Sequence, residues 1–439
     1  MSPPSMDETL AAPIERSSSG SDLLLEALAT PALRAIVFEV LERNPEIARA
    51  RRLAVAAAAR APQVRALPDP VAALTVFVLP PETRVGPQRL SASIQQKLPW
   101  FGKLALKEQG ALFAAAAVEA EVESLRLDKL TETRRLAYEL AFLDDQEAIV
   151  KAERSALVRY EKAAQARYAA GTGLQHAIVR IQAQITRIDT RLLEIAERRS
   201  VLLADLNALR DRPAGTLADS LTLPEPRQPV FDSKLLRRVA RQHRPELTAA
   251  EARIAAAATR IELAEKSFRP DITVGLSYTA VETREDAPGR LDPPPSNGDD
   301  IFALSGSLNL PIRRRKLEAG VEEAQATRWA VEEDQRRLLA RIESSIGDLT
   351  SRMPLLFEHL QLLDNVLLKQ AREALRSTET AYSTGKLNAV DLLDAEVVLF
   401  EVRIAAARTR TDLAVAQARL ERAVAHPLGT PPEDPSHEP

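Results

Sequence analysis

The sequence predicts a mainly α-helical chain with a small β part, built from two tandem copies of one unit of about 200 residues. Three observations predict this architecture. The composition is typical of long helices, because 28% of the residues are charged and only 4% are aromatic. Similar segments punctuated by Pro recur in the same order in both halves. Short segments with period-two alternation interrupt the helical pattern of each half.

The composition also excludes several classes of protein. The net charge is −3 with both signs interspersed, so no basic surface points to nucleic acid. Cysteine is absent, which excludes disulfides, thiolate zinc sites and cysteine nucleophiles. The five histidines have no metal-ligand spacing, and no serine–histidine–aspartate set or P-loop is present. We therefore predict no enzymatic activity, no cofactor and no bound metal.

Four pairs of segments, matched in the same order, predict the tandem duplication. The pairs are 43–60 with 243–260, 67–76 with 268–277, 95–111 with 307–324, and 167–173 with 381–387. Pro45 and Pro245 hold the same place in the first pair and are 200 residues apart. Chance similarity of Ala-rich helices could explain that pair alone, but it does not explain the other Pro-containing pairs.

These matches divide the chain into two repeats with a tail at each end. The predicted boundaries are 1–23 for a disordered N-terminal tail, 24–215 for the first repeat, 216–231 for a linker, 232–427 for the second repeat and 428–439 for a disordered C-terminal tail. The predicted β-hairpins are 71–98 and 271–310, and the tips of the predicted helical hairpins lie near 168–175 and 382–390. The tails are predicted to be disordered because they are rich in Ser and Pro.

Each repeat is predicted to begin with a helix and to end with a long helical hairpin. The predicted helices are 33–66, 103–168, 173–210, 232–266, 316–382 and 391–425, with a kink at Pro354. The stretch from Lys103 to Tyr168 alone makes a helix roughly 100 Å long at about 1.5 Å per residue. Its stripe of Leu residues predicts coiled-coil packing.

Three of the four predicted strands alternate apolar with small polar residues. These three are Leu90–Leu98, Ile272–Ala280 and Phe302–Leu310, whereas Val71–Leu79 is apolar on both faces. Each run has roughly the 9–11 residues of a tilted strand that crosses a bilayer. Two interpretations stay open here. One is a small antiparallel sheet with one wet face. The other is four strands in lipid, which could not close a barrel alone and would require several chains.

Two motifs and the duplicated plan resemble the TolC-type outer membrane efflux proteins. The motifs are "YSTGKLNAVDLLDAE" at 382–396 and "QQKLPWFGK" at 95–103, and the second is most similar to members that serve metal-ion or related tripartite efflux systems. The resemblance covers about residues 24–427. It implies a homotrimeric α/β-barrel channel, in which each chain gives four strands to a barrel in contact with outer membrane lipid and its long helices join a periplasmic tunnel.

The function implied by the resemblance is a passive channel of a tripartite efflux system, which exports small molecules or metal ions. Its partners would be a periplasmic adaptor and an inner-membrane pump, and its place the outer membrane of a Gram-negative bacterium. The alternative is a soluble coiled-coil scaffold without transport activity. An adaptor protein is a weaker alternative, because adaptors have one helical hairpin flanked by β-rich domains.

The resemblance assigns roles to three residues at the second tip. Asp391 and Asp394 match a pair of Asp residues that lines the periplasmic constriction of the family. Tyr382 matches a Tyr that ties neighbouring helix tips together in the closed state. Spacing i, i+3 puts both Asp residues on one helix face. The simpler interpretation, from the residues alone, is that both acids cap a helix start and complement its dipole.

Glycines mark the predicted turns of the tips, namely Gly171, Gly173 and Gly385. The first tip departs from the second because it offers Gln175, His176 and Arg180 but no Asp. We interpret His176 as a solvated turn residue rather than a pH-sensitive contact. Leu387 stands where the best-known family members have Arg, so we expect the closed state to be latched differently.

The N-terminal segment departs from the family. Its first residues lack a basic start followed by an apolar stretch, and no Cys is available to carry a lipid. Strands suited to a barrel make little sense in the cytoplasm, so we expect the true start to lie upstream.

Overall fold

The computed structural model describes residues 19–28, 30–216 and 221–428. Most of the two predicted tails, and residues 217–220 of the predicted linker, lie outside these ranges. Residues 20–23 were part of the predicted disordered tail, and that prediction is wrong because they form the start of a helix. The side chain of Ser19 accepts a hydrogen bond from the backbone of Asp22 and so caps this helix.

The described residues are mostly helical and contain four strands. The helices are α1 (Gly20–Glu26), α2 (Pro31–Arg43), α3 (Pro45–Ala58), α4 (Arg60–Arg65), α5 (Lys103–Ala169), α6 (Gln175–Leu209), α7 (Ser233–His243), α8 (Pro245–Lys266), α9 (Ala287–Leu291), α10 (Arg314–Leu362), α11 (Leu368–Ser383) and α12 (Ala389–Val424). The strands are β1 (Val71–Val76), β2 (Gln88–Leu98), β3 (Ile272–Val281) and β4 (Ile301–Leu308).

Two predicted helices are broken where the sequence predicted continuity. The breaks fall at the C-cap residues Asn44 and Arg244, each directly before a Pro. A Pro disfavours the α conformation of the residue before it, and both residues are extended, with ψ of 124° and 118°. The reverse holds at Pro354, which lies inside the continuous helix α10. A π-helical turn at Leu363–Leu367 follows α10 and separates it from α11.

The chain divides into two compact units. Unit 1 comprises Met1–Arg51, Ala120–Leu247 and Arg337–Pro439, and unit 2 comprises Arg52–Glu119 and Thr248–Arg336. Both hairpin tips belong to unit 1, and all four strands belong to unit 2.

Unit 2 contains one antiparallel sheet with the strand order β1-β2-β3-β4. One hairpin comes from each repeat, and β2 pairs with β3 along the boundary between them, from Gln88 opposite Val281 to Leu98 opposite Ile272. The predicted alternation is confirmed, because the register places the apolar residues on one face and the small polar residues on the other. Pairing of Leu74 with Ala92 puts Leu74 of β1 on the apolar face, which settles the orientation of this strand.

The apolar core behind the tips, in unit 1, joins helices of both repeats. Leu157 of α5, Ile181 and Ile188 of α6, and Leu392 and Phe400 of α12 are buried in one cluster. The side chains recur at helical spacing, so that each helix turns one apolar stripe inward. This cluster fixes the two tips against each other.

Candidate functional site: the two hairpin tips

The two tips are built from the same backbone turn. Gly171 and Gly385 adopt φ of 74° and 78°, a left-handed conformation that glycine tolerates at little cost. The turn hydrogen bonds, from N–H donor to carbonyl acceptor, are Gly171 to Tyr168 (2.9 Å), Thr172 to Arg167 (2.9 Å), Gly385 to Tyr382 (3.0 Å) and Lys386 to Ala381 (2.9 Å). Both sets are Schellman motifs, which end α5 and α11 in the same way.

Gly173 is needed for a different reason. A Cβ atom there would lie 2.9 Å from the backbone nitrogen of Tyr168 and 3.0 Å from Cβ of Arg167. Leu387 holds the equivalent position of the second tip.

The returning helices start differently. Leu174, at the N-cap of α6, makes no side-chain hydrogen bond to the helix. At the N-cap of α12, Asn388 Oδ1 accepts hydrogen bonds from the backbone of Val390 (2.7 Å) and Asp391 (3.1 Å). The carboxylate of Asp391 in turn accepts one from the backbone N–H of Asn388 at 3.2 Å, which completes a capping box.

The structure thus separates the two acids predicted at the second tip. The hydrogen bonds of Asp391 agree with the interpretation that this residue caps the start of α12. Asp394, one turn further along α12, is exposed and makes no hydrogen bond or ion pair with any residue that the structure describes. Capping and a charged lining are compatible for Asp391, since the hydrogen bond from Asn388 leaves the side chain partly exposed.

Tyr382 is buried, and its partner is a residue that sequence reasoning missed. The guanidinium of Arg167 lies over the Tyr382 ring, 4.7 Å from the ring centroid, and its Nη1 donates a hydrogen bond to the Tyr382 carbonyl at 2.7 Å. Gly385 gives this guanidinium room, because a Cβ there would lie 3.2 Å from Arg167 Nη2. One signal in the sequence could have found it: Arg167 begins the "RYAAGTG" segment matched to the second tip.

A cavity of about 370 Å³ lies between the turns of the two tips. Arg167, His176 and Lys386 line it together with Asp391 and backbone of both turns. His176 is exposed, as expected of a solvated turn residue. The chemistry of the arrangement is that of charged groups held at the end of two helical hairpins.

Two further properties concern the described residues as a whole. None of their helices has both the length and the apolar character that a membrane-crossing helix requires. Groups of three or more His, Asp or Glu side chains placed to hold a metal ion are absent from the same residues.

Comparison with known proteins finds a family model and solved structures to which this chain is similar. Residues 236–426 match the family model described as outer membrane efflux protein. The outer membrane protein VceC of Vibrio cholerae shares 21% identity, with 93% of this chain and 99% of that chain covered and a TM-score of 0.76. The outer-membrane channel OprN shares 17% identity, with 96% of each chain covered and a TM-score of 0.77.

A third solved structure, the outer membrane channel MtrE of Neisseria gonorrhoeae in its open state, shares 20% identity. The match covers 94% of this chain and 93% of MtrE, with a TM-score of 0.74. No curated protein sequence matches the chain. At these identities the solved structures show the fold, and the family model adds a sequence match over the second repeat.

Proposed function

We propose that the chain belongs to the outer membrane efflux protein family and that it forms the outer membrane channel of a tripartite efflux system. Members of the family are conduits without enzymatic activity. The proposed channel is a homotrimer in the outer membrane of a Gram-negative bacterium, with its helical hairpins in the periplasm. A periplasmic adaptor and an inner-membrane pump are its proposed partners. Small molecules or metal ions are the proposed cargo, and "QQKLPWFGK" at 95–103 is the feature that favours metal ions.

The observation that carries the proposal is the exposed apolar face of the sheet. Ile94, Leu276 and Leu304 lie side by side across three strands and are 50%, 53% and 86% exposed. Such a face on a soluble protein would favour aggregation, whereas in lipid it is stabilising. The edge strands β1 and β4 each lack a second partner strand among the described residues. Open edges are not tolerated in lipid, so strands of several chains must close one barrel.

Arginine substitution on the two faces of the sheet tests this proposal. Leu276→Arg and Leu304→Arg should block assembly in the outer membrane, since Arg near the bilayer midplane costs about 2–4 kcal/mol. Ser277→Arg is the matched control, because Ser277 neighbours Leu276 on the small polar face. The Ser277→Arg variant should assemble in the outer membrane and differ from the wild type only in its conductance. Membrane fractionation and native mass spectrometry in detergent measure the outcome. A stable monomer that binds no detergent would instead support the soluble scaffold.

The second tip is the proposed gate. Asp394 is exposed and Asp391 half-exposed on one face of α12, and three chains would bring six carboxylates together at the constriction. Such a ring favours cations and binds multivalent cations more tightly than monovalent ones. Tyr382, held by Arg167, fixes the turn that carries these acids.

Recordings in planar bilayers test the gate. The wild-type channel should be cation-selective and blocked by divalent or trivalent cations added on the periplasmic side. Asp394→Asn should weaken both properties without touching the helix cap, which makes it the cleaner variant. Asp391→Asn should act in the same direction, since an Asn oxygen can still accept the bond from Asn388. If neither substitution changes the cation selectivity or the block by multivalent cations, Asp391 and Asp394 are not part of the gate.

A further inference from the structure

Three acidic side chains and a tyrosine meet behind the tips, where α5 packs against α11 and α12. The Tyr160 hydroxyl of α5 lies 2.6 Å from Oε1 of Glu379 on α11 and 3.3 Å from Oε2 of Glu396 on α12. Its single proton can be donated to only one carboxylate at a time. Glu396 and Tyr160 are buried, whereas Glu379 at the other end of this bridge between the two repeats is exposed.

Glu153 lies on the same helix, two turns before Tyr160. Only 2% of it is exposed, and neither carboxylate oxygen has a hydrogen-bond partner among the described residues. An ionised carboxylate in such a place is costly, because both oxygens are buried and Gln184, which acts on the group from α6, makes no hydrogen bond of good geometry to them. The carboxyl group is therefore built to be neutral when the helices are packed.

The charged groups around Glu153 come from two other helices. Glu396 faces it from α12, while Arg191 and Gln184 face it from α6. A cavity of about 520 Å³ beside Glu153 is further lined by Arg187, Glu401 and Arg408.

The arginines around this cavity are held by other groups or placed at a distance. Arg408 donates a hydrogen bond to Glu139 at 2.9 Å and also pairs with Asp412 at 2.8 Å. The Arg191 guanidinium lies over the ring of Phe400, 4.8 Å from its centroid. Arg191 acts on Glu153 through its charge and makes no salt bridge with it. The cluster therefore keeps an excess of buried acid.

These surroundings alter the protonation of both buried acids. Burial, and next the charge of Glu396, raise the pKa of Glu153 to about 7, although Arg191 and Gln184 act in the opposite direction. Burial also raises the pKa of Glu396, with a further contribution from Glu379. The hydrogen bond from Tyr160 and the charges of two arginines oppose that rise. The arginines are Arg403 and Arg159.

We infer that Glu153 is a proton-binding site whose occupancy controls how tightly the second hairpin packs against α5 behind the tips. With the proton bound, the buried cluster loses one charge and the packing at Tyr160 is stable. Without it, Glu153 and Glu396 repel each other across the α5–α12 contact. Loosening of this contact lets water reach both carboxylates.

The sign of the coupling follows from linkage. A hydrated Glu153 has its ordinary affinity for protons, so the packed state binds the proton more tightly than the loosened state. Packing is therefore favoured below neutral pH and weakened as the pH rises through neutrality. For the gate, which rests on the proposed function, the consequence is that opening becomes more frequent at alkaline pH.

Spin-label distances measure the packing without assuming a channel. The chain has no cysteine, so Lys162→Cys on α5 and Ser377→Cys on α11, both exposed, provide specific labelling sites. Labelled chains diluted with unlabelled chains report distances within one chain. Between about pH 5.5 and 8.5 the distance distribution should broaden toward longer values with a midpoint near neutrality. Bilayer recordings over the same range should show open probability rising with the same midpoint.

Charge-removing variants decide whether Glu153 is responsible. Glu153→Gln is neutral at every pH, so both the label distance and the open probability should lose their pH dependence and keep the values of the packed state. Glu194→Gln, at an exposed position of α6, removes the same charge and should leave the wild-type profile unchanged. Wild-type pH dependence in Glu153→Gln would overturn the inference, and so would a wild-type label distance that ignores pH.

Two further outcomes are a pH response of the label distance without any current and a Glu153→Gln variant that does not fold. If distances respond to pH through Glu153 but no current is seen, the proton site stands and the proposed channel function fails. If Glu153→Gln does not fold, Tyr160→Phe provides a second test. Loss of the hydroxyl removes a hydrogen bond that lowers the pKa of Glu396, so Glu396 carries less charge near neutrality. Because the charge of Glu396 raises the pKa of Glu153, the midpoint should move to lower pH. An unmoved midpoint would then overturn the inference.

Discussion

The two hairpin tips share one backbone turn, yet their returning helices begin with different chemistry. Gly171 and Gly385 are 214 residues apart and end the outgoing helices with the same hydrogen bonds. Leu174 leaves the start of α6 without a side-chain cap, whereas Asn388 and Asp391 cap α12 reciprocally. The two tips therefore share the hydrogen bonds of the turn and differ in their side chains, and the acids lie at the second tip.

A shared contact made by different side chains is also found where each hairpin returns to the body of its repeat. Asn44 Nδ2 donates to the carbonyl of Leu209 at 2.9 Å, and Arg244 Nη1 donates to the carbonyl of Ala423 at 3.2 Å. Leu209 and Ala423 are also 214 residues apart, so both donors hold the same point of the returning helix. The contact is conserved between the repeats, while a neutral amide performs it in one and a guanidinium in the other.

We expect the largest effect from breaking these two anchors. Asn44→Ala removes the N-cap of α3 and leaves the Leu209 carbonyl without its donor, at a cost of about 2–4 kcal/mol. Arg244→Ala should cost less, because Glu246 keeps its hydrogen bonds from Arg422 and Ser124. Thermal unfolding followed by circular dichroism measures both.

Asn44→Ser separates the two contributions of this anchor. A Ser side chain can still cap α3 but does not reach Leu209, so its loss of stability should lie between wild type and Asn44→Ala. Equal stability of all variants would mean that the anchors do not hold the returning helices.

The next largest effect is expected at acid pH, which should weaken the anchor at Arg244 and leave the anchor at Asn44 unchanged. The hydrogen bond from Arg244 and the charge of Arg422 hold the pKa of Glu246 well below 4.5, although burial alone would raise it. Its contribution to stability is therefore complete above pH 4.5 and is lost as the pH falls below that value. Glu246→Gln should flatten the melting temperature between about pH 2 and 4.5. A wild-type acid profile in this variant would contradict the assignment.

Much of the fold could be predicted from the sequence, because its signals are local. Period-two alternation located the strands, and the absence of helix breakers located the long helices. The order of the strands and the partner of Tyr382 could not be predicted. Both depend on contacts between distant segments, as in the case of Arg167 and Tyr382, which are 215 residues apart. The buried Glu153 gave no signal either, since its sequence neighbours resemble those of any exposed glutamate.

The next largest effect should come from substitution of Arg167, and this effect should be confined to the tips. Arg167→Ala removes the contact with the Tyr382 ring and the hydrogen bond to its carbonyl, together about 1–3 kcal/mol. Hydrogen exchange of the amides at 380–390 should accelerate while the helix bodies stay protected. Arg167→Lys keeps the charge but not the planar group, so it should restore the protection only in part. Full protection in Arg167→Ala would mean that Tyr382 is held by its neighbours alone.

The smallest effect should come from exchanging the caps of the two tips. Asn388→Ala removes two hydrogen bonds to the start of α12 and should cost about 1 kcal/mol. Leu174→Asn supplies the missing cap of α6 and should stabilise the first tip by about 0.5–1 kcal/mol, since Leu is among the poor N-cap residues. Hydrogen exchange in the first turn of each helix measures both changes, and the double variant should show their sum because the caps are formed independently. If Leu174→Asn gains no protection, the two turns differ in backbone geometry as well as in side chains. The equivalence of the tips would then end at the glycines.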